Sequence, residues 1–145
     1  MNNIIIHLHS GLAYLVLLGL ILVTVVGIFG LATKKSKTKF DKILVSATKG
    51  FVHLQALTGI ILWIISDKVQ AYMKDIGSTM GNSEHRKILL EHPLVMLIAV
   101  ILFTIGGKKI AKANSDQVSY KTMAIYGAIT LLLILYMIPW NQFMS

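Results

Sequence analysis

Residues 43–66 read ILVSATKGFVHLQALTGIILWIIS. Lys49 alone among these 24 residues carries a formal charge. A helix of that length spans about 36 Å, enough to cross the roughly 30 Å hydrocarbon core of a bilayer. His53 sits near the middle of the run. An imidazole at mid-depth is costly against lipid. The expectation is therefore that His53 turns into a helical bundle and meets a polar side chain, trapped water or a metal.

Three more apolar blocks flank this one, at 4–31, 84–107 and 122–138. The chain of 145 residues is 55% hydrophobic and 14% charged. Its mean hydropathy is +0.72. A soluble domain carries nearer a quarter charged residues. Four blocks separated by short polar connections predict an all-α, transmembrane four-helix bundle forming a single membrane domain over 1–145. The first block is read as a retained span, since no basic stretch precedes it and the residues after it make a poor cleavage site. The chain has no cysteine, which excludes disulfides and thiolate metal sites.

The net charge of +8 is assigned to topology rather than to nucleic acid. The first connection holds Lys34, Lys35, Lys37, Lys39 and Lys42 against Asp41, and the third holds Lys108, Lys109, Lys112 and Lys121 against Asp116. The middle connection, from Asp67 through Glu91, balances four basic residues with four acidic ones. The positive-inside rule then puts the first and third loops in the cytoplasm of a bacterial inner membrane, with both termini outside. Trp63, Tyr72, Tyr136 and Trp140 fall near the outer interface, as an aromatic belt does.

Depth and face rank the polar residues. His53 lies eleven residues from Lys42, roughly 16 Å in. His92 lies fifteen residues from Gly107, roughly 22 Å in. Ser46, Lys49, Gly50, His53, Ala56 and Leu57 share one side of the second span, which is taken as the inward side. His92, Val95, Met96 and Ala99 share a side of the third. Pro93 lacks the amide hydrogen that would reach the Leu89 carbonyl, so a kink is expected beside His92.

These placements make haem b, held between axial His53 and His92, the sharp reading, because bundle cores build haem sites from facing helices. His9, at the outer end of the first span, is the reserve ligand. Glu91 points away from the His92 ring, toward His9 or the outer surface, and His85 lies in solvent. The bland reading leaves the histidines as hydrogen-bonding struts. Zinc or di-metal chemistry is disfavoured, because only Glu91 adds a carboxylate near a histidine and no HExxH spacing occurs. Gly106-Gly107-Lys108-Lys109 lacks the phosphate-loop pattern and reads as a helix stop.

Taken in order, Leu8-His9-Ser10 with Tyr14, His53-Leu54-Gln55 with Gly59, Glu91-His92-Pro93 and Ile138-Pro139-Trp140 resemble a family of small four-span bacterial membrane proteins labelled "cytochrome B". The likeness runs over nearly the whole chain. It implies haem b binding and electron transfer, and it carries over to His9, His53, Glu91 and His92. Met137 departs from it, standing where a basic residue is expected. The lipid bilayer is the first partner, with quinol or a larger membrane protein complex as the redox partner. The alternative from another class is a haem-free structural or assembly subunit of a larger membrane complex.

Overall fold

A computed structural model of the chain describes residues 2–143. Among these, four helices are long and apolar enough to cross a membrane: Asn3–Ala32, Lys39–Ile65, Ser83–Ala111 and Asp116–Met137. The chain is an all-α four-helix bundle. In element terms α1 is Asn2–Ala32 and α2 is Lys39–Ile65. Short helices α3 (Asp67–Lys74), α4 (Ile76–Gly81) and α5 (Ser83–Arg86) follow. A π turn at Lys87–Glu91 leads into α6 (His92–Ala111), and α7 (Asp116–Met137) and α8 (Trp140–Phe143) complete the chain.

The helices begin earlier than hydropathy alone predicts, because caps set their starts. Thr38 accepts the Asp41 amide, and the Asp41 carboxylate accepts the Thr38 amide. That capping box starts α2 at Lys39 rather than at Ile43. Ser115 accepts the Val118 amide and starts α7 at Asp116, six residues ahead of the apolar block. The middle connection is not a bare loop. Ser66, Asp75 and Asn82 each cap one of its short helices.

Each long helix buries one narrow stripe. On α1 it is Leu12, Val16, Leu20, Val23, Gly27 and Gly30; on α7 it is Tyr120, Met123, Gly127, Thr130 and Ile134. Spacings of three and four keep such residues on one side of a helix. Helix α1 packs between α2 and α7, and α6 packs between α7 and α2, with the α2–α6 seam the loosest. So α1 and α6 lie diagonally across the bundle. At Gly30 a Cβ would stand 2.5 Å from the Tyr120 ring, and at Gly27 it would stand 2.5 Å from the Ala124 amide nitrogen. Only glycine allows α1 and α7 to approach so closely. The outward faces are apolar, with Ile4, Phe29 and Leu132 among the exposed residues. This reverses the polarity of a soluble bundle.

One polar cluster ties the lysine-rich end together. Asp41 is fully buried. Its carboxylate accepts the Tyr120 hydroxyl at 2.6 Å and the Thr38 amide at 2.8 Å. Lys35 Nζ adds an ion pair at 3.3 Å. Lys34 just before it has φ 52°, a left-handed conformation that costs a non-glycine residue. The Lys35 amide closes the end of α1 onto the Gly30 carbonyl at 3.1 Å.

Two stability predictions follow from this end. Tyr120→Phe leaves the buried Asp41 without its shortest hydrogen bond and costs about 1.5–3 kcal/mol. Lys34→Gly relieves the left-handed residue and gains about 1 kcal/mol. Unfolding titrations of the purified protein from mixed micelles into SDS check both, and a Tyr120→Phe protein as stable as wild type would contradict the first.

Candidate functional site

The inward side of α2 is not the side the sequence suggests. Its buried positions are Asp41, Val45, Thr48, Val52 and Thr58, with Gln55 half-buried in the same line. Ser46, Gly50, His53 and Leu57 are exposed. Residues 53 and 55 lie about 200° apart on a helix, so only one of them can face the interior. Gln55 takes that position. The expectation that His53 is buried in the bundle is therefore corrected.

His53 instead lies on the outer seam between α2 and α6, with its Nε2 2.9 Å from Thr104 Oγ1. The Thr104 hydroxyl already donates its one hydrogen to the Val100 carbonyl at 2.7 Å. His53 Nε2–H must therefore be the donor. Thr104 is twelve residues from His92 along the same helix, a rise of roughly 18 Å. Imidazole nitrogens sit ~2 Å from a bound metal. One iron cannot reach both rings in this arrangement, and the structure does not bring His53 and His92 together.

His92 and His9 lie on the diagonal helices α6 and α1. His92 Nδ1 lies 3.0 Å from the Met137 carbonyl at the end of α7. A carbonyl only accepts, so Nδ1 carries the hydrogen and Nε2 keeps its lone pair. His9 follows the same logic. Its Nδ1 lies 3.3 Å from Thr58 Oγ1. The Thr58 hydroxyl donates to the Gln55 carbonyl at 3.0 Å, so His9 Nδ1–H is the donor here as well. The Gln55 amide nitrogen then donates to His9 Nε2 across a long 3.4 Å. Gly59 makes room for the ring, since a Cβ there would meet His9 Cε1 at 3.0 Å.

Gln55 was not among the sequence-derived site residues. Among the described residues its Oε1 is buried with no hydrogen-bond partner. A helical wheel centred on Val45, Thr48 and Val52 is the signal that points to it. Such an orphaned acceptor is uncommon in a folded protein.

Pro93 shapes the surroundings. The π turn sends the His92 amide to the Lys87 carbonyl. The Trp63 indole takes the Leu89 carbonyl at 2.9 Å, the acceptor that the proline leaves open. Glu91 serves neither His9 nor His92; it pairs with Arg86 at 2.6 Å. His85 is half-buried rather than solvated, stacked on Tyr72 with ring centroids 4.3 Å apart. A groove of about 480 Å³, lined by Lys87, Ile88, Glu91, Pro139 and Trp140 among others, opens beside the His92 turn. Among the described residues no three of His, Asp and Glu converge as a multi-ligand metal site; axial ligation of a haem needs only two residues. The Met137 side chain carries no charge, and what it offers His92 is backbone.

No family model, curated protein or solved structure matches this chain.

The tautomers are directly measurable. Ring nitrogen-15 NMR of the protein in bicelles is expected to show Nδ1–H imidazoles for His9 and His92 and an Nε2–H imidazole for His53. An Nδ1–H signal for His53 would contradict the Thr104 bond.

Proposed function

We propose that the chain is a small haem b protein of the bacterial inner membrane, a relative in kind of the four-span cytochrome B proteins it resembles, with His92 and His9 as the axial pair. The observation that carries this reading is the matched state of the two rings. Each has Nδ1–H anchored inside the bundle, and each keeps an Nε2 lone pair. Anchoring one ring nitrogen while the other binds metal is the usual condition of a ligating histidine. The fit is good at His92, whose Nε2 makes no hydrogen bond among the described residues. At His9 only the long Gln55 contact has to yield. His53 does not fit, because its Nε2–H is engaged with Thr104.

Haem, when bound, supplies one-electron chemistry whose potential follows axial ligation and burial. The chain's own residues do the rest. Met137 O and Thr58 orient the two rings, Gly59 leaves space for one of them, and Trp63 covers the carbonyl opened by Pro93. Lys87, which lines the groove beside the His92 turn, is the cation available to a propionate. In this reading quinol or a larger membrane complex is the electron partner. Lysine distribution supports loops one and three in the cytoplasm and both termini outside.

A second reading has its own observation. His9, His53 and His92 each already find a partner within the chain. A haem-free structural or assembly subunit of a larger membrane complex accounts for that directly.

Reduced-minus-oxidised spectra of protein produced with ample haem separate the two. A b-type spectrum is expected, lost or severely weakened in His9→Ala and His92→Ala and retained in His53→Ala. A colourless wild type leaves the structural reading standing. Haem loss in His53→Ala alone would refute the ligand assignment. For orientation, cysteines replacing Asn2 and Ser78 should label from outside intact cells and one replacing Ser36 should not.

A further inference from the structure

The lysine-rich end holds nine lysines against two aspartates. Neither aspartate is free. Asp41 is buried under Tyr120, Thr38 and Lys35, and Asp116 accepts the Lys37 amide at 3.0 Å. The positive charge is crowded as well. Burial, and then the neighbouring Lys42, hold the Lys37 ammonium below its ordinary range. Against this background a groove of about 450 Å³ opens where α6 ends and α7 begins. Lys108, Lys109, Lys112, Asn114, Val118 and Thr122 line it. Lys108, Lys112 and Asn114 make no side-chain hydrogen bond or ion pair among the described residues, while Lys109 lies over the Tyr126 ring at 5.7 Å.

Two further features suit a lipid with an anionic headgroup. The Ile110 carbonyl, near the negative end of α6, is covered by Lys37 Nζ at 3.1 Å and Ser119 Oγ at 3.3 Å. The groove also continues into an apolar track. Val118, Thr122, Ile125 and Ile129 repeat at four, three and four residues, which places them on one face of α7. Val118, Ile125 and Ile129 are each more than two-fifths exposed. A free phosphate has no use for that track, whereas an acyl chain does.

We infer that the groove formed by Lys108, Lys109, Lys112 and Asn114 binds the phosphate headgroup of an anionic phospholipid, with an acyl chain lying along Val118, Ile125 and Ile129. The site rests on the membrane reading of the four helices and is independent of haem. Retention of the wild-type protein in alkali-washed membranes reports that membrane reading separately.

Native mass spectrometry of the detergent-purified full-length protein tests the site, with phosphatidylglycerol and phosphatidylcholine as probes. Each lysine near an anionic lipid contributes about a fivefold gain in binding. Wild type is expected to retain phosphatidylglycerol roughly tenfold or more over phosphatidylcholine. The triple change Lys108→Gln, Lys109→Gln, Lys112→Gln should remove most of that preference. Arginine at the same three positions should keep it, which separates lost charge from lost folding. Lys34→Gln, Lys39→Gln, Lys42→Gln removes as much charge outside the groove and should keep it too. Equal loss in both glutamine triples would reduce the effect to diffuse charge and overturn the site. Equal retention of the two lipids by wild type would also overturn it. Displacement of the lipid by millimolar inorganic phosphate would assign the groove to free phosphate instead.

Discussion

A carboxylate with no exposed surface has to be surrounded by donors, and Asp41, at the lysine-rich end of the bundle, is such a group. Its donors come from different parts of the chain: Lys35 and Thr38 in the first connection, and Tyr120 on α7. The same tyrosine hydroxyl reaches the Ser36 carbonyl at 3.1 Å, and its ring lies against Gly30. The end of α1, the start of α2 and the start of α7 therefore converge on one charge. Breaking a buried charged cluster by removing one partner is far more costly than the net worth of the cluster. The cluster thus ties the three helix ends to one another in a single register.

That register propagates along rigid helices. Gly19 meets Thr48 across the α1–α2 contact. Ten residues further along each antiparallel helix, His9 meets Thr58. On the α6–α7 side Ser119 reaches Ile110 at one end and His92 reaches Met137 near the other. The histidines thus owe their partners to a contact fixed near the opposite membrane face. The coupling is geometric: a slip of one residue on α2 turns Gln55 by about 100° and removes it from His9.

The architecture was legible because hydropathy is a direct record of four spans, and the lysine-rich connections stood out between them. Helix starts were legible in principle through Thr38 with Asp41 and through Ser115, but those caps lie outside the apolar runs that first attract notice. The inward face of α2 was harder to read. Ser46, Gly50 and His53 resemble an interior polar stripe, while the true stripe carries Thr48, Gln55 and Thr58 among valines. In a membrane bundle both inside and outside are apolar, so the hydrophobic contrast that identifies a buried face in a soluble helix largely disappears. Side-chain size is the better guide there, since Thr48 sits opposite Gly19 and Thr58 sits beside Gly59 and His9.

The chemistry of the three membrane histidines turns on two threonine hydroxyls and one carbonyl. A helical threonine that bonds its own backbone has no hydrogen left to offer and can only accept. Thr104 does this toward Val100 and Thr58 toward Gln55. Each therefore requires an N–H from its histidine, and which nitrogen supplies it depends on how the ring approaches. At Thr104 it is Nε2, which leaves His53 with only the more hindered Nδ1 open. At Thr58, and at the Met137 carbonyl, it is Nδ1, which leaves Nε2 open on His9 and His92. Nε2 is the nitrogen at the far edge of the ring, away from the backbone. Residues of one type, all within apolar spans, are in this way sorted by neighbours that are not themselves ionisable. The sorting follows from acceptor geometry, which a list of membrane histidines does not contain.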